Sequence, residues 1–271
     1  MTIRFRNRIT FTLFILSISV FLIYIILTLY QFLKAGIQLP EIHTITHSSN
    51  PILKYNPYII FAGITIEIIY VCITSKIIYH SFEKTQAPDI AFFLIFLVAC
   101  LCDSTRFIIP VFNIAGTYSQ FLLKIGNIHL FARLLAPLAL MGNTVLCTDD
   151  FAQDTDRNCL IIIIIALFFS EIIPLNTAVI LPNYCVSYGY VKAIRFFSFL
   201  IIILSSIYLY VNNKRNEYRQ IMTLGFIMLS IGYTLMFYCY NILLFSAGVL
   251  FLGFGTNTYL NEVHKHYLWI D

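Results

Sequence analysis

Several ionisable side chains stand inside stretches of sequence that are otherwise too apolar to hold them: Glu67, Asp103, Arg106, Lys124, His129, Arg133 and Glu171. A charge at the centre of a membrane-crossing helix costs at least about 2.5–3.5 kcal/mol unless it is paired or hydrated, so each such residue is a candidate for ligand binding, ion movement or a proton relay. Spacing sharpens the reading. Asp103 and Arg106 are three apart and His129 and Arg133 four apart, so on helices each pair shares one face. Counting about 1.5 Å per residue from the helix ends puts all but Lys124 within one slab, roughly 9–18 Å deep. The expectation is a buried charged network of Glu67, Asp103, Arg106, His129, Arg133 and Glu171, which either holds helices together or lines a ligand or ion site. Arg133 needs an acid from another helix; Glu67 and Glu171 are the candidates, and Glu171 is favoured because Pro174 loosens the backbone three residues on. Lys124, near a helix end, is expected to snorkel to the interface.

Other groups carry weaker chemistry. Asp149, Asp150, Asp154 and Asp156 form an acidic run that offers oxygen ligands to Mg²⁺ or Ca²⁺. The run resembles the aspartate-rich diphosphate motifs of intramembrane prenyltransferases, which implies Mg²⁺-dependent lipid chemistry, but the second acidic run of such enzymes is missing. Asp154, Asp156 and Asn158 also open like an EF-hand loop, with Cys159 where that loop needs glycine. A solvated acidic loop is therefore the expectation. His43 and His47 have a helical zinc spacing beside Glu41, yet Thr44-Ile45-Thr46 disfavours a helix there. His264-Lys265-His266 reads as an interfacial tail. Of the seven cysteines, Cys147 and Cys159 flank the acidic loop and are expected reduced, Cys72 lies mid-span, and Cys100 and Cys102 point to different faces. Cys185 and Cys239 fall on the outer side, where a disulfide forms if they approach.

The elements that must position these groups follow from composition. Of 271 residues 59% are hydrophobic and 11% charged, with 17 Lys+Arg and 13 Asp+Glu. That is too few charges to coat a soluble globule of this size. The fold class is all-α: a polytopic integral membrane helix bundle, one transmembrane domain of about eight helices. The spans are expected at 9–33, 58–79, 90–112, 121–146, 159–181, 193–211, 220–240 and 242–260, with no strand anywhere. A very tight turn near Cys239, Tyr240 and Asn241 separates the last two, and a seven-span variant is the alternative. The first apolar run is too long for a signal peptide and lacks a cleavage site, so it reads as a retained helix.

Lys and Arg set the orientation. Arg4, Arg6, Arg8, Lys76, Lys84, Arg157, Lys214, Arg215, Arg219 and Lys265 collect on one side, against Lys34, Lys54, Lys192 and Arg195 on the other. Both termini are thus expected in the cytoplasm, and the protein in the cell membrane, the cytoplasmic membrane if bacterial. The isoelectric point near 8.6 follows from the same bias and calls for no nucleic acid. Gly225 and Gly232, seven apart, with Gly248, Gly253 and Gly255, suggest close packing of the last two helices, against each other or a membrane partner, including a second copy. Glu67-Ile68-Ile69 and Glu171-Ile172-Ile173 hint at an inverted repeat of three plus three spans.

Whole classes are excluded by missing motifs. The last spans hold no lysine for a retinal Schiff base, and there is no H-E-x-x-H, G-x-S-x-G or Walker A sequence. No cofactor is expected. The favoured reading is a non-enzymatic module that binds a small ligand or acts as a sensor, with the lipid bilayer as its solvent. A secondary transporter using intramembrane carboxylates comes next, and a Mg²⁺-dependent lipid enzyme after it.

Overall fold

The computed structural model describes residues 2–34, 54–85, 87–115, 119–147, 155–213 and 217–268. Among them nine helices follow in order: α1 (Ile3–Lys34), α2 (Pro57–Ser81), α3 (Pro88–Ser104), α4 (Ile108–Val111), α5 (Gln120–Val145), α6 (Thr155–Ile172), α7 (Val191–Asn213), α8 (Glu217–Phe237) and α9 (Ile242–Leu268). A 3₁₀ turn, Thr105–Phe107, joins α3 to α4, so that Pro88–Val111 runs as one long element. Seven helices are long and apolar enough to cross a membrane. The eighth long helix, α6, has 18 residues and carries Asp156, Arg157 and Glu171 near its ends.

The bundle is sorted inside out relative to a water-soluble protein. Phe32, Leu33, Phe168, Phe196, Phe197 and Leu204 on α1, α6 and α7 turn outward, whereas Glu67, Asp103, Arg106, His129 and Arg133 are buried. This is a surface for hydrocarbon, with the charged groups gathered inside. α3 is the central helix. Its apolar residues run all round it, and Ile90, Phe92, Phe93, Phe96, Leu97 and Ala99 are buried on every side, as such a pattern requires.

Local sequence sets where the helices begin. Asn56 caps α2, its side chain accepting from Tyr58 N at 3.0 Å, with Pro57 in the first turn. Ser119 caps α5 by accepting from Leu122 N, and Asn241 caps α9 by accepting from Leu244 N at 2.8 Å. At the opposite end of the bundle, buried Arg6 donates to the carbonyls of Phe82 and Thr85. It thereby satisfies carbonyls that the end of α2 leaves open, and ties the start of α1 to it. Tyr267 of α9 donates to Asp89 of α3 at 2.8 Å on that same side. Both terminal helices therefore have their free ends on one side, which we call the termini side.

The expected span 159–181 is corrected. The helix stops at Ile172, because Pro174 has no N–H to donate and its ring clashes with the preceding turn. Beyond it the chain turns into strands β1 (Leu175–Ile180) and β2 (Val186–Tyr188), an antiparallel hairpin pairing Leu175 with Tyr188 and Ile180 with Val186. Among the described residues the expectation of a strand-free chain fails here. The hairpin packs on α5, and its tip is buried: Asn183, Tyr184, Cys185 and Val186 are at most 4% exposed. Tyr184 adopts a φ of 63° to make the turn, and Leu181 N donates to Cys185 O at 2.8 Å to close it.

α8 and α9 form the most extensive helix pair, joined by the short connection from Tyr238 to Asn241. A Cβ on Gly225 would lie 2.6 Å from Thr258 Oγ1 and 2.8 Å from Tyr259 N. One on Gly232 or Gly255 would run into the backbone of Leu252 or Leu229, while Gly253 faces open space. Backbone cannot give way as a flexible side chain can. We expect Gly232→Ala and Gly255→Ala each to destabilise the protein by about 1–3 kcal/mol, and Gly253→Ala to be neutral or stabilising by up to about 1 kcal/mol. Thermal unfolding in mild detergent measures all three.

Candidate functional site

Three segments deliver charge to one place. Glu67 comes from the middle of α2, Asp103 from the last turn of α3, and Arg106 from the 3₁₀ turn that follows. Arg106 has no exposed surface. Its Nη2 donates to Glu67 Oε2 at 3.0 Å, and its Nη1 lies 3.6 Å from Asp103 Oδ2. Nη1 also donates to the carbonyl of Phe237, the last residue of α8, at 3.3 Å. A helix C-terminus leaves such carbonyls unpaired and partly negative, so a guanidinium is a suitable neighbour. Asn183, from the hairpin tip, donates to the same carbonyl at 3.1 Å. Arg106 thus joins α2, α3 and α8, and Asn183 adds the hairpin through the shared acceptor.

The cluster has a second half that is less well satisfied. His129 Nδ1 lies 3.6 Å from Asp103 Oδ1, too far for a sound hydrogen bond. His129 is 4% exposed, and neither of its ring nitrogens has a hydrogen-bond partner within the protein; the same holds for both oxygens of Asp103. Cys185, at the hairpin tip and 2% exposed, completes this group. One ligand atom each from Asp103, His129 and Cys185 lie within 4.8 Å of one another. Oxygen, nitrogen and sulfur donors of this kind suit a transition metal rather than Mg²⁺ or Ca²⁺. Burial and the Asp103 carboxylate push the Cys185 thiol up from its ordinary value, which keeps it protonated at neutral pH.

Arg133 follows His129 by one helical turn. Among the described residues no carboxylate pairs with it. Its guanidinium stacks 4.1 Å from the ring of Phe237 and 5.3 Å from that of Tyr238, and it donates to Tyr238 Oη at 3.1 Å. Arg195 of α7 lies over the other ring of this pair, Tyr238, at 5.2 Å. Aromatic faces take the role expected of an acid, as cation–π attraction in a desolvated place allows.

Glu171 is not part of this cluster, and its expected pairing with Arg133 is corrected. It is exposed, and accepts from Asn127 of α5 at 3.3 Å. The buried stripe of α6 runs through Ile162, Ala166 and Ser170. One residue further is a rotation of about 100°, which turns Glu171 away from the core. Glu67 and Glu171 therefore do not occupy equivalent positions, and the inverted-repeat reading loses its support. Cys185 and Cys239 are both free thiols, so the disulfide left open for them by the sequence is not formed. Of the acidic run, Asp149, Asp150 and Asp154 lie outside the described residues, as do Glu41, His43 and His47; Asp156 falls in the first turn of α6. Lys124 lies in the second turn of α5, exposed.

Sequence reasoning missed Asn183, Phe237 and Tyr238, and took Cys185 only as a conditional disulfide partner of Cys239. The Leu181-Pro182-Asn183 turn sequence was the available signal for Asn183 and Cys185. No model of a known protein family matches the chain, and a search of curated proteins finds no match.

The two halves of the cluster differ in what they do for folding. Removing one partner of a buried ion pair leaves an uncompensated charge, so Glu67→Gln and Arg106→Gln are each expected to cost about 3 kcal/mol or more. Glu171→Gln, at an exposed contact, is expected to change stability by less than about 0.5 kcal/mol. Equilibrium unfolding of the three variants in detergent, beside the parent, provides the comparison.

Proposed function

We propose that this chain is a non-enzymatic, sensor-like membrane module that binds a small polar ligand at the open half of the buried cluster, where Asp103, His129 and Cys185 meet. The observation that carries this reading is the pair of orphaned ring nitrogens on His129, buried beside a carboxylate that also lacks hydrogen bonds. Burying such groups unpaired works against stability, and a folding role alone gives no reason to retain them. A bound ligand supplies the missing partners.

The hairpin is the natural cover of the site. It is non-helical backbone packed into the bundle, and its tip reaches the cluster from the side opposite the chain termini. In a multi-pass protein of the cell membrane with both termini in the cytoplasm, as the distribution of Lys and Arg favours, that side faces outward. A ligand from outside then meets the hairpin first. β1 follows α6 after Pro174, and β2 runs into α7 through Gly189 and Tyr190. A ligand that pins the tip to α3 and α5 therefore restrains the ends of α6 and α7 as well. That gives occupancy a mechanical consequence along the helices.

A group kept for binding is dispensable for folding. With any bound ligand or metal stripped from both proteins, His129→Leu, similar in volume and without polar atoms, is expected to melt at the parent temperature or above it. A loss of more than about 2 kcal/mol would show that the imidazole serves the fold instead, and would end this reading.

A further inference from the structure

We propose that the open half of the cluster is a transition-metal site, in which Asp103, His129 and Cys185 hold a Zn²⁺-class ion and the ion fastens the hairpin to α3 and α5. This deepens the binding-module reading above and rests on it. The three donors come from three separate elements, the end of α3, the middle of α5 and the tip of the hairpin, yet converge to within 4.8 Å. All three residues are buried, at 0%, 4% and 2% exposure. The ring nitrogens and both carboxylate oxygens make no hydrogen bond within the protein.

The chemistry is that of zinc. Carboxylate oxygen, imidazole nitrogen and thiolate sulfur are its ordinary ligands, and three protein ligands leave a fourth position for water or a small anion. Hard cations such as Mg²⁺ do not take thiolate or imidazole readily, so the donor set also selects against them. Binding replaces the proton of Cys185: the S–H bond breaks, a S–Zn bond forms, and the proton leaves to solvent with no change of oxidation state. One positive charge is left over: Glu67, Asp103 and the Cys185 thiolate stand against Zn²⁺, Arg106 and Arg133, and an anion in the fourth position would offset it. One carboxylate and one thiolate neutralise the two charges of the ion, while Arg106 keeps its 3.0 Å pair with Glu67 and Arg133 stays on its aromatic rings. The positive neighbours are thus already accommodated before the metal arrives.

Cobalt makes the site visible. Purified, chelator-treated protein in mild detergent is titrated with Co²⁺, and a thiolate-to-cobalt charge-transfer band with tetrahedral d–d bands is expected at one equivalent per chain. Zn²⁺ should bleach both. Cys185→Ser should abolish the charge-transfer band, Cys239→Ser should keep it, and His129→Leu should weaken Zn²⁺ competition about tenfold or more. Zn²⁺ should also raise the melting temperature of the parent and of Cys239→Ser, but not of Cys185→Ser. A folded parent that gives no band, or a band that survives in Cys185→Ser, overturns the metal site. If the band is missing while His129→Leu still melts at or above the parent, the metal is rejected and the binding-module reading stands. If the band is missing and chelator-treated His129→Leu is also strongly destabilised relative to the chelator-treated parent, both fall.

Discussion

Arg106 has no exposed surface and sits where α2, α3 and α8 meet. A guanidinium cannot shed its charge, and hydrocarbon offers it no water, so every element around it is obliged to bring an acceptor. Glu67 brings an accepting carboxylate and α8 the last carbonyl of its helix, while Asp103 adds a second negative charge 3.6 Å away. That obligation fixes more than a contact. It sets the rotation of α2, the level at which α8 ends, and the change from α-helix to 3₁₀ helix just where Arg106 must reach sideways. The hairpin tip then takes its place through Asn183, which shares the α8 carbonyl.

Composition made the helix bundle legible, since so few charges leave no other solvent than lipid. Much of the cluster was legible too, because charges in apolar helices at one depth have few places to go. What could not be read was rotation. α6 is apolar on every side through Leu160 to Phe169, so no stripe marks which face is inward, and the one-residue step between Ser170 and Glu171 decides everything. Depth alone placed Glu171 beside Arg133; the helical angle takes it to α5's Asn127.

The hairpin was hidden for a related reason. Its β-branched and apolar residues continue the hydropathy of α6 without a break, and proline is tolerated in membrane helices, so Pro174 was an ambiguous stop. The aromatic seat of Arg133 was equally silent. Phe237 and Tyr238 look like two more residues of an apolar run, and only their position at the C-terminal end of α8 turns their rings onto a guanidinium.

The hairpin also bears on how the molecule is made. Asn183 donates to a carbonyl 54 residues further along the chain, and that acceptor exists only once α7 and α8 have been synthesised. Helices can enter the bilayer one after another because each satisfies its own backbone, but the tip of this hairpin has no such independence. Until α8 arrives the Asn183 amide has to find its acceptor in water or at the headgroups. Seating the tip is therefore a late, post-insertion step of biogenesis, and the buried cluster is sealed only when the second half of the chain is in place.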